Sequence, residues 1–145
     1  MPPSRGYFDS SALVKRYVME SGSQHVHRLV QEYDVLSSAI APVEVLSALY
    51  RRRATGDLAE QNFNAILSRL QGDRGYWELV EVSSLVLDRA EELIQRIEIK
   101  TLDALHVASL MTIQAALGIR IPFITGDRLQ RDVAWQLGLD VLWVG

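Results

Sequence analysis

The stretch Gly6-Tyr7-Phe8-Asp9-Ser10-Ser11-Ala12-Leu13-Val14 decides the fold class. Gly6 to Phe8 is a short β-prone run and Asp9 ends it. Ser10-Ser11 then opens an apolar helical pattern through Ala12, Leu13, Val14 and Tyr17, which Ser21-Gly22-Ser23 breaks. A strand thus delivers an acid to the mouth of a helix, and the arrangement returns further along. Ile121 to Thr125 reads as a strand, Gly126-Asp127 as a turn, and Arg128 to Leu137 as a helix stopped at Gly138.

Between these units the alternation continues. A helix runs from about Gln24 to Glu32, followed by a strand around Val35-Leu36-Ser37-Ser38. Pro42 suits the first turn of a third helix, where a missing N–H costs nothing. That helix carries Val45, Ala48, Leu49 and Tyr50 and closes with Arg51-Arg52-Arg53. Asp57-Leu58-Ala59-Glu60 has the form of a capping box, and Phe63, Ile66, Leu67 and Leu70 then repeat at helical spacing. Glu78 to Val82 alternates as a strand, and Ser83 or Ser84 caps a helix through about Ile97. Thr101 is expected to cap a long apolar helix that stops before Gly118, and Val141 to Val144 makes a last strand. Short strands alternating with helices predict an α/β fold, a three-layer α/β/α sandwich with a short, mainly parallel central sheet. No repeat or linker divides residues 1–145, so one domain is expected.

Hydrophobic residues make up 48% and charged residues 23%, an ordinary globular balance. No apolar run reaches the roughly 18 residues of a membrane helix, and the first residues lack a signal-peptide core, so the expectation is a cytoplasmic protein without membrane contact. The absence of cysteine excludes disulfides, thiolate metal sites and cysteine nucleophiles. Net charge is −3, at first sight wrong for a nucleic-acid partner. Setting four carboxylates aside as cation ligands leaves about +1 on the rest of the surface, so charge leaves the partner open.

Four acids stand at comparable places. Asp9 and Asp127 follow strands and precede helices; Glu44 and Asp103 lie in first helical turns. Each alone has an ordinary explanation as a helix cap or a dipole partner. Together they suggest a site, because a parallel sheet gathers its carboxyl ends and the following helix starts along one edge. The helix bearing Asp103 is apolar nearly all round, so that carboxylate is expected to be substantially buried and to need a partner. Two carboxylates about 5 Å apart at an effective dielectric of about 20 repel by roughly 3 kcal/mol. No Lys or Arg is evidently assigned to offset this, which points to a cation. Oxygen-only donors select magnesium or manganese over zinc, and such ions typically serve displacement at phosphorus.

Tyr7-Phe8-Asp9-Ser10-Ser11-Ala12-Leu13-Val14-Lys15 resembles the opening of PIN domains, particularly toxins of the VapC type. Thr101-Leu102-Asp103-Ala104-Leu105-His106-Val107-Ala108 is similar to their central motif. Thr125-Gly126-Asp127, with Arg128-Leu129 and Leu137-Gly138-Leu139, is similar to their last motif and closing strand. Pro42-Val43-Glu44-Val45 resembles the weaker motif bearing the family's glutamate. The resemblance implies a metal-dependent endoribonuclease acting on single-stranded RNA, often the toxin of a toxin–antitoxin pair and usually dimeric. It implies Asp9, Glu44, Asp103 and Asp127 as ligands of Mg2+, with Mn2+ as a substitute. It also implies Ser11 and Thr125 as hydroxyls orienting carboxylates or water, simple capping being the alternative. Asp132 is an extra acid that would either reach a second ion or lie on a solvated helix face.

Several alternatives stay open at this level. A PIN-type nuclease can serve RNA processing or DNA cleavage with no toxin role, or the fold can bind RNA without turnover. A phosphate-accepting receiver domain would want a lysine after a late strand, and an aspartate-nucleophile phosphatase would want a second aspartate two residues after Asp9; neither is present. His106, one turn from Asp103, could take a metal or base role, but on so apolar a helix it is expected to be a hydrogen-bonded core residue. Arg51 falls about two turns after Glu44 on roughly the same face, where it could bind RNA phosphates, as could Lys15 and Arg16. The Phe63 to Leu70 stripe is expected in the core, with part of it available to an antitoxin.

Overall fold

Five strands and seven helices alternate along residues 4–145, the part of the chain that the computed structural model describes. In order they are β1 Ser4–Phe8, α1 Ser10–Val14, α2 Ser23–Glu32, β2 Tyr33–Ser38, α3 Ala41–Ala54 and α4 Glu60–Arg74. Then follow β3 Glu78–Val80, α5 Ser84–Arg96, α6 Thr101–Leu117, β4 Phe123–Thr125, α7 Arg128–Gln136 and β5 Val141–Trp143. The strands form one sheet in the order β3-β2-β1-β4-β5, and every pairing is parallel. The sheet is therefore wholly rather than mainly parallel.

Side chains on a strand alternate between faces, and this builds two cores. Phe8 and Ile124 point to one, where Leu13, Val45, Leu49 and Phe63 from α1, α3 and α4 meet them. Tyr7, Leu36 and Phe123 point to the other, against Val86 of α5, Val107 and Leu110 of α6 and Ala134 of α7. Helices α1–α4 and α5–α7 are the outer layers of the expected α/β/α sandwich. Phe63 and Leu70 are buried, and Ile66 and Leu67 pack partly covered beside them, so the α4 stripe is core.

Three local expectations give way. α1 ends at Val14, and Arg16 and Tyr17 bond back three residues to Leu13 and Val14. This tighter turn still carries Tyr17 and Val18 into the core, which is why the apolar period outlasts the helix. The Asp57 capping box does not form. α4 begins at Glu60 behind Ala59, without a side-chain cap, and the Asp57 N–H is instead tied to the Arg52 carbonyl at 2.9 Å. Thr101 is the first helical residue of α6 rather than its cap, and Lys100 precedes it without a capping side chain. Ser83 caps α5 as expected, accepting from Val86 N at 3.3 Å. Gly118 ends α6 in the left-handed region at φ 68°. Gly22 has φ 87°, and a Cβ there would lie 1.6 Å from the Val144 carbonyl oxygen, so only glycine lets the end of β5 close onto the start of α2. No helix among the described residues is long and apolar enough to cross a membrane.

Candidate active site

Strand order reverses at β1. From β1 the chain builds outward through β2 and β3 on one side, and through β4 and β5 on the other. The crevice between β1 and β4, at the carboxyl ends, is where an open parallel sheet offers a site. Asp9 follows β1 directly and Thr125 closes β4. The register Phe8↔Ile124 brings the two abreast.

Asp9 is only 3% exposed and is fixed at both oxygens. Oδ1 accepts from Ser11 Oγ at 2.6 Å and from Ala12 N at 3.0 Å. Oδ2 accepts from Thr125 Oγ1 at 2.6 Å. The two hydroxyls are themselves held, since Gly126 N donates to Ser11 Oγ at 2.9 Å and Asp127 N to Thr125 Oγ1 at 3.1 Å. Burial raises the Asp9 carboxyl above the ordinary aspartate value, opposed by the His106 charge and these hydrogen bonds. Asp127 caps α7, its Oδ1 accepting from Leu129 N at 2.9 Å and Gln130 N at 3.2 Å.

Glu44, in the first turn of α3, takes two donors on Oε1: Ser10 Oγ at 2.5 Å and His106 Nε2 at 2.6 Å. Burial would raise its carboxyl, but the His106 bond and charge and the Ser10 bond together outweigh this and hold it below the usual glutamate value. Asp103, in the first turn of α6, has no side-chain hydrogen bond or ion pair among the described residues. Burial first, then the charges of Asp127, Asp9 and Glu44, push its carboxyl up to about 6. The four predicted acids are thus brought into electrostatic contact.

The cap and the site are not rival explanations. Glu44 and Asp127 each spend one oxygen on a structural bond and keep the other, Asp9 retains lone-pair capacity on Oδ2, and Asp103 keeps both. Ser11 and Thr125 both donate to the Asp9 carboxylate. Asp132 is exposed and paired with Arg131 at 3.1 Å, although it lines the groove that also holds Asp103.

The nearest cations are engaged elsewhere. Lys15 is buried with its ammonium on the Ser21 carbonyl at 2.6 Å and near Glu20, and Arg16 pairs with Asp73 at 3.4 Å. Arg51 has no carboxylate partner among the described residues. It lines a groove of about 580 Å³ together with Ser10, Ser11 and Glu44.

Three further residues contribute to the arrangement, and Ser10 and Gln130 among them carry no evident signal of it as site residues in the sequence. His106 is buried and hydrogen-bonded, as expected, but one bond runs to Glu44, so it belongs to the site. Ser10, which opens α1, also donates to Glu44. Gln130, 1% exposed, joins two acid-bearing segments: its backbone N–H reaches Asp127, and its Nε2 donates to the Asp103 carbonyl at 3.1 Å. In the sequence it reads as a glutamine three residues after a helix cap, although the reach is to α6 rather than back to the cap.

Among the described residues no three acidic or histidine side chains close tightly enough to enclose a metal ion alone. The cluster is open, made of oxygen donors, with Asp9, Asp103 and Asp127 free of any Lys or Arg ion pair.

The PIN domain family model matches residues 6–136. The chain is 34% identical to "Ribonuclease VapC46" of Mycobacterium tuberculosis over 137 residues, which is 94% of this chain and 95% of that protein. Its fold is similar to that of a chain in a toxin–antitoxin complex from Klebsiella pneumoniae, with TM-score 0.57, 14% identity, and 97% and 98% of the two chains covered. It is also similar to PAE2754 from Pyrobaculum aerophilum, with TM-score 0.61, 18% identity, and 96% and 84% covered. By motif, by whole-chain likeness and by the sheet order that sets its acids at one edge, the chain belongs to the PIN domain family and is of the VapC type.

Proposed function

We propose that the protein is a magnesium-dependent endoribonuclease that hydrolyses single-stranded RNA, and that it is the toxin of a toxin–antitoxin pair. On this reading residues 1–145 act as one domain, in the cytoplasm and as a homodimer. The observation that carries it is the gathering of the acids at the carboxyl edge of β1 and β4, where Asp103 is lifted to about 6 by burial and by Asp127, Asp9 and Glu44. That repulsion is what a cation would relieve. The open cluster suits magnesium in particular, which keeps several waters and binds through one or two carboxylates rather than in a protein cage; manganese takes the same donors.

Asp9, Glu44, Asp103 and Asp127 would hold the ion. When bound, it activates water and offsets charge on the phosphate. Ser11 and Thr125 keep Asp9 from rotating, Gln130 holds the start of α6 against α7, and Arg51 receives a phosphate of the strand. The toxin role draws on the kinship with Ribonuclease VapC46. Beside Glu44, Val43 and Leu46 of α3 and Leu102 of α6 are exposed apolar side chains, a surface that an antitoxin segment would cover while occluding the acids.

The test is cleavage of end-labelled single-stranded RNA and DNA by purified protein with Mg2+, with Mn2+ or with chelator. RNA is expected to be cut only with metal. Asp9→Asn and Asp103→Asn are expected to lower the rate by roughly two orders of magnitude or more. Equal rates for wild type and both variants would sink the assignment, and cutting of DNA alone would move the protein to another nuclease class.

A further inference from the structure

His106 is 2% exposed and makes contacts at both ring nitrogens. Nδ1 lies 2.8 Å from the hydroxyl of Tyr7 and Nε2 lies 2.6 Å from Glu44 Oε1. The Tyr7 and His106 rings meet edge to face, 5.8 Å between centroids and 80° between planes, and Tyr7 is stacked on Phe123 on its other side. The imidazole is therefore clamped between a core tyrosine on β1 and an acid on α3.

We infer that His106 is a positioning residue, whose Nε2–H pins Glu44 by Oε1 and reserves Oε2 for the cation or water of the reaction. The inference rests on the nuclease reading above. A glutamate carboxylate only accepts, so at 2.6 Å the proton of that contact must sit on Nε2. A neutral ring then presents Nδ1 as an acceptor, and the Tyr7 O–H satisfies it. The hydrogen bond at one nitrogen thus sets which atom faces the acid. Ser10 Oγ adds a second donor to the same oxygen at 2.5 Å and stands 3.2 Å from Nε2. With two donors on Oε1 the carboxylate cannot turn that oxygen outward, and α3 is tied to α6 across the mouth of the site. A histidine serving only the core would need neither the acid nor the shared serine.

The experiment has two arms on the full chain. In the first, the ring 15N and 1H resonances of His106, assigned among three histidines by loss in His106→Gln, are expected to show a proton on Nε2 and to shift in Glu44→Gln. A ring protonated on Nδ1 alone in the wild-type protein would overturn the inference. In the second, Mn2+ affinity is measured by calorimetry. His106→Ala is expected to weaken it by about 10- to 100-fold, and His106→Gln, which keeps an N–H donor, to recover most of that loss. In a Glu44→Ala background His106→Ala is expected to add less than about twofold. An undiminished affinity in His106→Ala, or the same loss with Glu44 absent, would overturn the positioning role. Wild-type protein that neither bound Mn2+ nor cut RNA would instead count against the nuclease reading, so the two failures are separable.

Discussion

At the scale of the residue, Asp103 behaves least like its neighbours. Asp9, Glu44 and Asp127 all accept hydrogen bonds, whereas Asp103 faces like charge without a side-chain partner among the described residues. Its carboxyl in the folded chain is raised to about 6, above an unfolded value near 3.9. The folded state therefore binds more protons between those values, and metal-free stability falls as pH rises through that window. Asp103→Asn cannot ionise. In chelator at pH 7.5 it is expected to melt higher than wild type by on the order of 3 °C, a modest figure because the side chain is half exposed and screened. The gain should vanish near pH 4, and added Mg2+ should raise the melting temperature of wild type more than that of the variant. Thermal melts at the two pH values check this; a gain equal at both would mean the repulsion is not felt.

At the scale of the element, the sequence was legible where a residue's local role and its final role coincide. Asp9 and Asp127 cap helices and also face the site, so their placement after β-prone runs was enough to find them. Ser83 was found for the same reason. Asp57 and Thr101 were misread because capping chemistry is a local preference, while helices α4 and α6 start where Phe63 and the apolar face of α6 reach their cores. His106 was placed correctly in the core, but its link to Tyr7 spans 99 residues and its link to Glu44 spans 62; no local pattern carries such a contact. α3 yields a further prediction. Arg52 is paired with Glu20 at 2.7 Å and Arg53 with Glu60 at 3.7 Å, which leaves Arg51 as the arginine of that triplet available to phosphate. Arg51→Ala should raise KM for RNA with little change in kcat and reduce the slope of log affinity against log salt by about 0.7. Arg120→Ala, which breaks an exposed pair with Asp140 and a bond to the Gly138 carbonyl away from the acids, should change neither. Salt titrations of RNA binding decide it; equal slopes for Arg51→Ala and wild type would remove Arg51 from the substrate path.

At the scale of the whole molecule, two cores share one sheet, and strands three to six residues long separate them. Leu49 lies in one core and Leu110 in the other, both fully buried. Each truncation to alanine is expected to cost about 2–5 kcal/mol. Because the residues sit on opposite sides of the sheet, their costs should add to within about 0.5 kcal/mol in urea unfolding. A strongly non-additive double variant would show that the layers communicate through the strands.

The hydroxyl that holds Asp9 comes from Thr125, 116 residues further along the chain, and Asp127 follows it. While the protein is being synthesised, the ribosome has to release β4 before the edge that gathers the acids exists. Domains fold as units and the early part emerges first, so a growing polypeptide with β1, α3 and α6 already outside the exit tunnel still lacks one wall of the crevice. The central place of β1 makes the crevice depend on a strand distant in sequence, so its acids come together only once β4 has joined β1.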